Sequence, residues 1–214
     1  MISITQAVRE ILHKQEFISE SLHLGLLNTS AYALKIQEEV EKLTFKKVQI
    51  GSIVTSLSRI KDDFKGKLEI DFKINDVELK YPVTNLAYDL KLNKIQKIGE
   101  IYNLFGKLND PFLNVIVGNT QINVFVNSKY ALEIKDLLKP QKPTLEMEDL
   151  AAISLKFDKR FLVVPGMTYA VLRSLFLENI NLIEIASTYT EITLFVNKKD
   201  SQRILDIMNK EFIG

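Results

Sequence analysis

An internal repeat constrains the fold of this chain more than any other feature of its sequence. Residues 101–105 (Ile-Tyr-Asn-Leu-Phe) correspond to residues 172–176 (Leu-Arg-Ser-Leu-Phe), and residues 121–127 correspond to residues 191–197. The second pair keeps Ile, Phe, Val and Asn at matching positions, so the faces of the two predicted strands agree. A helical pattern follows each copy. Repetition of a whole supersecondary unit predicts two copies of one small α+β fold in tandem.

The second copy has the clearer pattern of elements. Apolar residues recur at helical spacing after a Pro-Gly pair, and two alternating runs follow that are typical of paired strands. The predicted elements are, in order, strand 152–157, a turn at Pro165-Gly166, helix 170–176, strands 180–185 and 191–196, and helix 201–212. Strict alternation in the first of the paired strands places Ile183 and Ile185 on one face and Leu182 and Ala186 on the other.

These segments resemble the ACT domain, a small regulatory module that binds ligands, and especially the second ACT unit of aspartate kinases. The resemblance is carried by Val-Val-Pro-Gly-Met-Thr at 163–168, Glu-Asn-Ile-Asn-Leu-Ile-Glu-Ile at 178–185 and Thr-Glu-Ile-Thr-Leu-Phe-Val-Asn at 190–197. It covers the last third of the chain well and the middle third loosely. One departure is the glycine usual in the family between Glu-Asn and Ile-Asn, which is missing at Asn179-Ile180.

The resemblance implies an α+β protein in which two tandem ferredoxin-like βαββαβ ACT units, at 67–140 and 141–214, follow an N-terminal domain. In ACT domains the effector lies where the turn after the first strand meets the start of the second strand, often across a dimer interface. Unpaired N–H groups at a helix N-terminus can hold a carboxylate there. The expected ligand-binding residues are Val164, Pro165, Gly166, Met167, Thr168, Asn181, Leu182, Ser187, Thr188 and Glu191. The alternative is a purely structural strand-to-helix turn.

Residues 1–66 contain no proline and predict a helical, helix-turn-helix-like domain. Ser3 with Gln6 is a capping-box signature, and Asn28, Thr29 or Ser30 can cap a later helix. DNA binding would need basic residues clustered on one face. The candidates are Lys46, Lys47, Arg59, Lys61 and Lys65. Neighbouring acidic residues leave the segment close to neutral, which disfavours specific DNA binding relative to dimerisation or docking of a protein partner.

Residues 68–72 and 77–81 alternate around Asn75-Asp76, which predicts a hairpin. The hairpin could be the wing of a winged helix-turn-helix domain, or edge strands of the first ACT sheet beside a strand at 86–92. The second alternative is favoured because the first unit otherwise has few strands. Residues 140–143 (Pro-Gln-Lys-Pro) predict a linker, and residues 144–150 a polar approach to the next strand.

Composition excludes several classes of protein. The 214 residues contain no cysteine, only two histidines and no Walker or metal-binding motif, which disfavours an enzyme, a metal site or a cofactor. No apolar run approaches the ~20 residues needed to cross a membrane, and no secretory signal is visible, so a cytoplasmic protein is expected. Together with these exclusions, the resemblance to ACT domains implies a non-catalytic homodimer that senses an amino acid and signals to DNA or a partner. The alternative is a regulatory or structural subunit of a separate enzyme that binds neither ligand nor DNA.

Overall fold

The computed structural model describes residues 2–64, 72–89, 92–108 and 112–213. The chain divides into two compact units, Met1–Asp71 and Phe72–Gly214. The first unit is helical, and the second is an α+β unit built on one antiparallel sheet of six strands. The predicted boundary at residue 140 therefore falls inside a single compact unit.

Within residues 2–64, the first unit has four helices, α1 Ile4–His13, α2 Glu16–His23, α3 Thr29–Thr44 and α4 Ile50–Ile60, followed by a 3-10 turn at Lys61–Phe64. The predicted caps are present, because the Ser3 hydroxyl accepts from the Gln6 N–H at 3.1 Å and the Asn28 side chain accepts from the Ala31 N–H at 3.0 Å. Apolar residues at helical spacing, among them Leu12 and Leu57, meet in one buried cluster.

The described residues of the second unit form ten main elements: β1 Ile74–Asp89, α5 Leu92–Phe105, β2 Leu113–Val117, β3 Gln121–Asn127, α6 Ala131–Leu137, β4 Leu145–Phe157, α7 Met167–Leu177, β5 Leu182–Ser187, β6 Glu191–Asn197 and α8 Lys198–Met208. Short 3-10 turns cover Ser128–Tyr130 and Lys159–Val163, and a π-helical turn covers Asn209–Ile213. The strand order across the sheet is β2-β3-β1-β4-β6-β5.

The two longest strands lie side by side at the centre of the sheet. The first part of β1, up to Lys80, pairs with the second part of β4, from Ala152 onward. The second part of β1 pairs with the first part of β4 and, on its other edge, with β3. The second part of β4 pairs in the same way with β6. Each half of the sheet therefore contains one strand segment from the other half of the sequence.

The turn predicted at Asn75-Asp76 is wrong, and with it the hairpin and the wing; residues 68–71 lie outside the described residues. Asn75 and Asp76 lie inside β1, at a register irregularity opposite the end of β4. Turn-forming residues are here accommodated by a bulge, which adds a residue to one strand without reversing the chain. Residues 86–89 of the strand predicted at 86–92 form the end of β1, which is a central strand, and Leu92 begins α5. Residues 90 and 91 lie outside the described residues. The predicted polar approach at 144–150 is mostly the first part of β4.

The two faces of the sheet have different hydrophobic clusters. Val124 and Val126 pack with residues of α5 and α6, including Ile101 and Ile134. Phe125, between them, points to the other face, where a cluster is built from residues of the strands and the segment before β2. Its ring stacks on that of Phe195, with centroids 3.7 Å apart. In a flat sheet β3 and β6 would be about 14 Å apart, so the sheet is folded with this face on the inside. We call it the inner face.

The predicted face assignment of β5 is wrong because of a second bulge. Leu182 pairs with Val196, but Glu184 pairs with Phe195, so one extra residue lies between them. Ile183 and Ala186 consequently both pack against the inner-face cluster. A single inserted residue reverses the alternation, which is why Ile183 and Ile185 do not share a face.

Candidate ligand-binding site

A cavity of about 410 Å³ lies where the start of α7 faces the end of β5. We call it the turn cavity. Its floor is apolar, since Phe157, Met167 and Ile192 are buried. Its walls come from the 3-10 turn before α7, the first residues of α7 and the β5–β6 connection. The lining residues are Phe157, Phe161, Leu162, Val164, Gly166, Met167, Thr168, Tyr169, Ser187, Thr188, Tyr189 and Ile192.

One wall is formed by the turn that leads into α7. The Asp158 side chain caps the 3-10 turn by accepting from the Arg160 N–H at 2.9 Å, and the Val164 N–H donates to the Phe161 carbonyl at 3.0 Å. Gly166 then has φ 90°, a left-handed conformation that a side chain disfavours. It is the N-cap residue of α7, and no side chain caps the helix. The first N–H groups of α7 therefore have no intrahelical acceptor, and the residues that carry them, Met167 and Thr168, line the cavity.

The opposite wall is formed by hydroxyl-bearing residues at the end of β5. The Thr188 N–H donates to the Glu191 carbonyl at 2.9 Å and closes the connection to β6. Ser187 and Thr188 are exposed at this corner, beside Tyr189, whose side chain is 83% exposed. The cavity thus combines an apolar floor, a helix N-terminus and hydroxyl groups, which suits a small ligand carrying a negative group.

The structure brings together only part of the residue set proposed from the sequence. Six of its members line the turn cavity, namely Val164, Gly166, Met167, Thr168, Ser187 and Thr188. Pro165 lies in the turn but does not line the cavity. Glu191 lines a different cavity, together with Asn114.

Asn181 and Leu182 lie at the wrong end of β5 to line the turn cavity of their own chain. Six residues separate Asn181 from Ser187, which is about 20 Å along a strand. The expected approach of the second strand's start to the turn is therefore wrong within one chain. Phe161, Leu162, Tyr169 and Tyr189 line the cavity without having been singled out in the sequence. They could have been proposed from the sequence because they lie within a few residues of Pro165-Gly166 or of Ser187-Thr188.

The basic residues of the helical unit form two separate groups. Lys46 and Lys47 follow α3, and the Lys47 ammonium pairs with Glu41 at 3.1 Å. Arg59 and Lys61 lie at the other end of α4, about 16 Å away along a helix of this length. Lys65 lies outside the described residues. Residues 1–64 contain eight basic and eight acidic side chains, so no net positive charge favours nucleic acid.

The described part of the chain has neither a helix that could cross a membrane nor a group of side chains that could hold a metal ion. None of the helices within 2–64, 72–89, 92–108 and 112–213 is long and apolar enough to cross a bilayer. In the same part of the chain, no three His, Asp or Glu side chains are grouped so that they could hold a metal ion.

The second unit has the α+β fold of the regulatory, ACT-type region of aspartate kinases. Aspartate kinase from Clostridium acetobutylicum matches with a TM-score of 0.54 and 16% identity, over 67% of this chain and 36% of that one. The regulatory subunit of aspartate kinase from Thermus thermophilus, in its ligand-free form, matches with a TM-score of 0.54 and 14% identity, over 65% of this chain and 98% of that one.

A third solved structure is E. coli aspartokinase III in complex with lysine and aspartate. It matches with a TM-score of 0.50 and 12% identity, over 68% of this chain and 34% of that one. This chain thus covers about a third of the length of the complete kinases that it matches. No protein-family profile and no curated protein matches the sequence. At these identities the likeness concerns the fold.

Proposed function

We propose that this chain is a non-catalytic regulatory protein that binds an amino acid in the turn cavity. Binding would be communicated through residues 1–66 to DNA or to a protein partner. The observation that supports this most is the uncapped N-terminus of α7, which faces Ser187 and Thr188 across the cavity. The partial positive charge of a helix N-terminus favours a carboxylate, and the hydroxyl groups are suitable partners for the rest of the ligand.

The likeness to the aspartate kinase fold supports the same ligand class. The E. coli relative was solved with lysine and aspartate, both of which carry an α-carboxylate. For this chain we propose that the carboxylate accepts hydrogen bonds from backbone N–H groups at Met167 and Thr168. Tyr169 and Tyr189 would border the side chain of the ligand. The ligand's apolar atoms would contact the floor at Phe157 and Ile192.

We propose that the sheet consists of two ACT units that exchange strands. The first ACT unit would comprise the second part of β1, then α5, β2, β3, α6 and the first part of β4. The second would comprise the second part of β4, then α7, β5, β6, α8 and the first part of β1. The pairing supports this division, because each set gives the strand order of a ferredoxin-like βαββαβ unit. These two ACT units correspond to the halves 67–140 and 141–214 of the sequence repeat, except that the first part of β1 and the first part of β4 are exchanged between them.

We further propose a homodimer in which β5 pairs with β5 of a second copy. β5 is an edge strand, and exposed edges are usually covered. Antiparallel pairing centred near residues 184 and 185 would place Asn181 of the second copy beside Thr188. In such a dimer, Asn181 of one copy would lie at the turn cavity of the other copy, which it does not reach within its own chain.

The ligand proposal is tested first by thermal-shift screening of the twenty amino acids, because ligands that bind the native state raise its melting temperature. Each amino acid that stabilises the protein is then compared with its α-carboxamide. We expect the carboxamide to lose the stabilisation, since it has no charge for the helix N-terminus. Equal stabilisation by both compounds, or none by any amino acid, would contradict the proposed site.

A matched pair of variants at Thr168 tests the position of the carboxylate. Thr168→Asp places a negative side chain in the first turn of α7, where it suits the helix but competes with an anionic ligand. Thr168→Asn has a similar size and no charge. We expect the aspartate variant to bind the amino acid at least tenfold more weakly than the asparagine variant, with both remaining folded. Calorimetry measures the difference.

A protein partner is the second candidate for the output of the helical unit. This unit exposes several large apolar side chains, including Leu26, Leu34 and Phe45, the last being 80% exposed in a left-handed conformation. Exposed apolar side chains are typical of protein interfaces, whereas DNA interfaces are basic. In this alternative the chain is a regulatory or structural subunit of a separate enzyme. A mobility-shift series at increasing salt separates the two, since binding to DNA phosphates weakens steeply with salt.

A further inference from the structure

A second cavity, of about 370 Å³, lies between the two edge strands of the sheet, β2 and β5. We call it the edge cavity. Asn114 and Ile116 line it from β2, Ala186 from β5, and Glu191 and Thr193 from β6. Ile192, between these last two residues, lines the turn cavity instead. Because neighbouring side chains of a strand point to opposite faces, the two cavities lie on opposite sides of β6 and share only the corner at Ser187 and Thr188.

The carboxylate of Glu191 accepts a hydrogen bond from one buried hydroxyl group, which is itself bonded to a second. The Thr193 hydroxyl donates to Glu191 Oε1 at 3.2 Å. The hydroxyl groups of Thr193 and Ser154 are 2.8 Å apart, and both residues are more than nine-tenths buried. A chain from Ser154 through Thr193 to Glu191 therefore orients the carboxylate and leaves its second oxygen for another donor.

The nearest lysine in register does not neutralise Glu191. Lys156 is the cross-strand partner of Glu191. Its ammonium group, however, lies 3.2 Å from Asp76 and 3.5 Å from Glu78 on β1. The hydrogen bond and the charge of Asp76 raise the pKa of Lys156, which fits an ammonium bound on that side. Within the described part of the chain, no ion pair involves Glu191, so the edge cavity contains an oriented negative charge without a protein cation.

We propose that the edge cavity is a second binding site and that it takes the ammonium group of an aliphatic primary amine. An ammonium group has three hydrogen-bond donors and no acceptor. The Glu191 carboxylate, the Asn114 amide oxygen and the Ser187 hydroxyl at the shared corner are acceptors around one cavity. The apolar side chains of Ile116 and Ala186 would contact the methylene groups of the amine. This site requires no carboxylate on the ligand and is independent of the proposed function of the turn cavity.

The test uses 1,4-diaminobutane, which carries ammonium groups and no carboxylate, and 1,4-butanediol as a neutral compound of the same length. Both are titrated into the ¹⁵N-labelled full chain at constant ionic strength while amide chemical shifts are recorded. We expect the diamine, and not the diol, to give saturable shifts at 114–116 and 185–188. Glu191→Gln should weaken the diamine at least tenfold. Glu133→Gln, a change at an exposed carboxylate on α6, should leave its affinity unchanged.

Equal shifts with diamine and diol, an unchanged affinity in Glu191→Gln, or an equal loss in Glu133→Gln would overturn the proposal. The Thr168→Asp variant distinguishes failure of the proposed amine site in the edge cavity from failure of the proposed amino-acid site in the turn cavity. If the edge cavity is a site of its own, diamine binding persists in that variant while binding of an amino acid is lost. Loss of both together would show that the two cavities are not independent sites.

Discussion

Phe195 and Phe125 occupy matching positions of the sequence repeat, and their rings meet at the centre of the inner face. Both side chains are fully buried. Phe195→Ala removes a stacked ring from a site bordered by rigid strands, so we expect the free energy of unfolding to fall by about 3–5 kcal/mol. Urea denaturation measures the change.

Asn197, two residues further along, is the matched control. It ends β6 and precedes α8, and its side chain makes no capping hydrogen bond. We expect Asn197→Ala to lower the free energy of unfolding by less than about 1 kcal/mol. The truncation leaves no cavity, and it removes no hydrogen bond to an N–H group of α8. Similar losses for the two alanine variants would show that the assigned faces of β6 are wrong.

The contrast between Gly166 and Asn181 shows what a sequence can say about a site. Gly166 was predictable because a left-handed turn residue leaves a local signature, the Pro-Gly pair before a helical pattern. The position of Asn181 depends instead on the direction in which β5 runs away from α7. That direction is a property of the sheet, and the residues around Asn181 do not reveal it.

The connection between α3 and α4 depends on one carboxylate. Glu41 accepts a hydrogen bond from the Val48 N–H at 2.9 Å and pairs with Lys47. The hydrogen bond from the Val48 N–H, and after it the hydrogen bond from Lys47, lowers the pKa of Glu41. A lowered pKa in the folded state means that the stabilisation is present above the unfolded value, about 4.3, and is lost as the pH falls through the folded value.

We therefore expect Glu41→Gln to be less stable than the natural sequence near neutral pH, with the difference shrinking below about pH 4. Chemical denaturation at a series of pH values measures it. Glu38→Gln, on the exposed side of the same helix, should show little difference at any pH. A difference between Glu41→Gln and the natural sequence that stays constant with pH would contradict the role of the charge.

The strands that the sequence predicted correctly are the short ones with alternating side chains, β3 and β6. β1 was misread because Asn75-Asp76 is a turn signature and the bulge that accommodates it is specified by pairing with distant residues of β4. The start of β4 was misread because Glu146 and Glu148 are polar. They lie on a segment of strand whose neighbours come from β1. The sequence pattern of a segment does not show which distant strand it will pair with, so a polar segment such as this one is not recognised as a strand.

At the scale of the whole molecule, β5 pairing predicts a dimer whose ligand site needs both chains. Sedimentation at micromolar concentration should give twice the mass of one chain. Asn181→Ala should then weaken amino-acid binding by about 1–3 kcal/mol through loss of a polar partner, without changing the oligomeric state. A monomer, or binding that is unaffected by Asn181→Ala, would remove Asn181 from the site.

The exchanged strand segments have a consequence for synthesis on the ribosome. Asp76 in β1 and Lys156 in β4 are 80 residues apart in sequence, yet Lys156 Nζ lies 3.2 Å from Asp76 Oδ2 in the fold. At about 5–20 residues per second, the first part of β1 waits on the order of 4–16 seconds for its partner to be translated. Throughout that interval the nascent chain presents an unpaired strand edge, the feature that chaperones protect and that aggregation exploits. Slow translation between residues 90 and 150 would prolong this exposure.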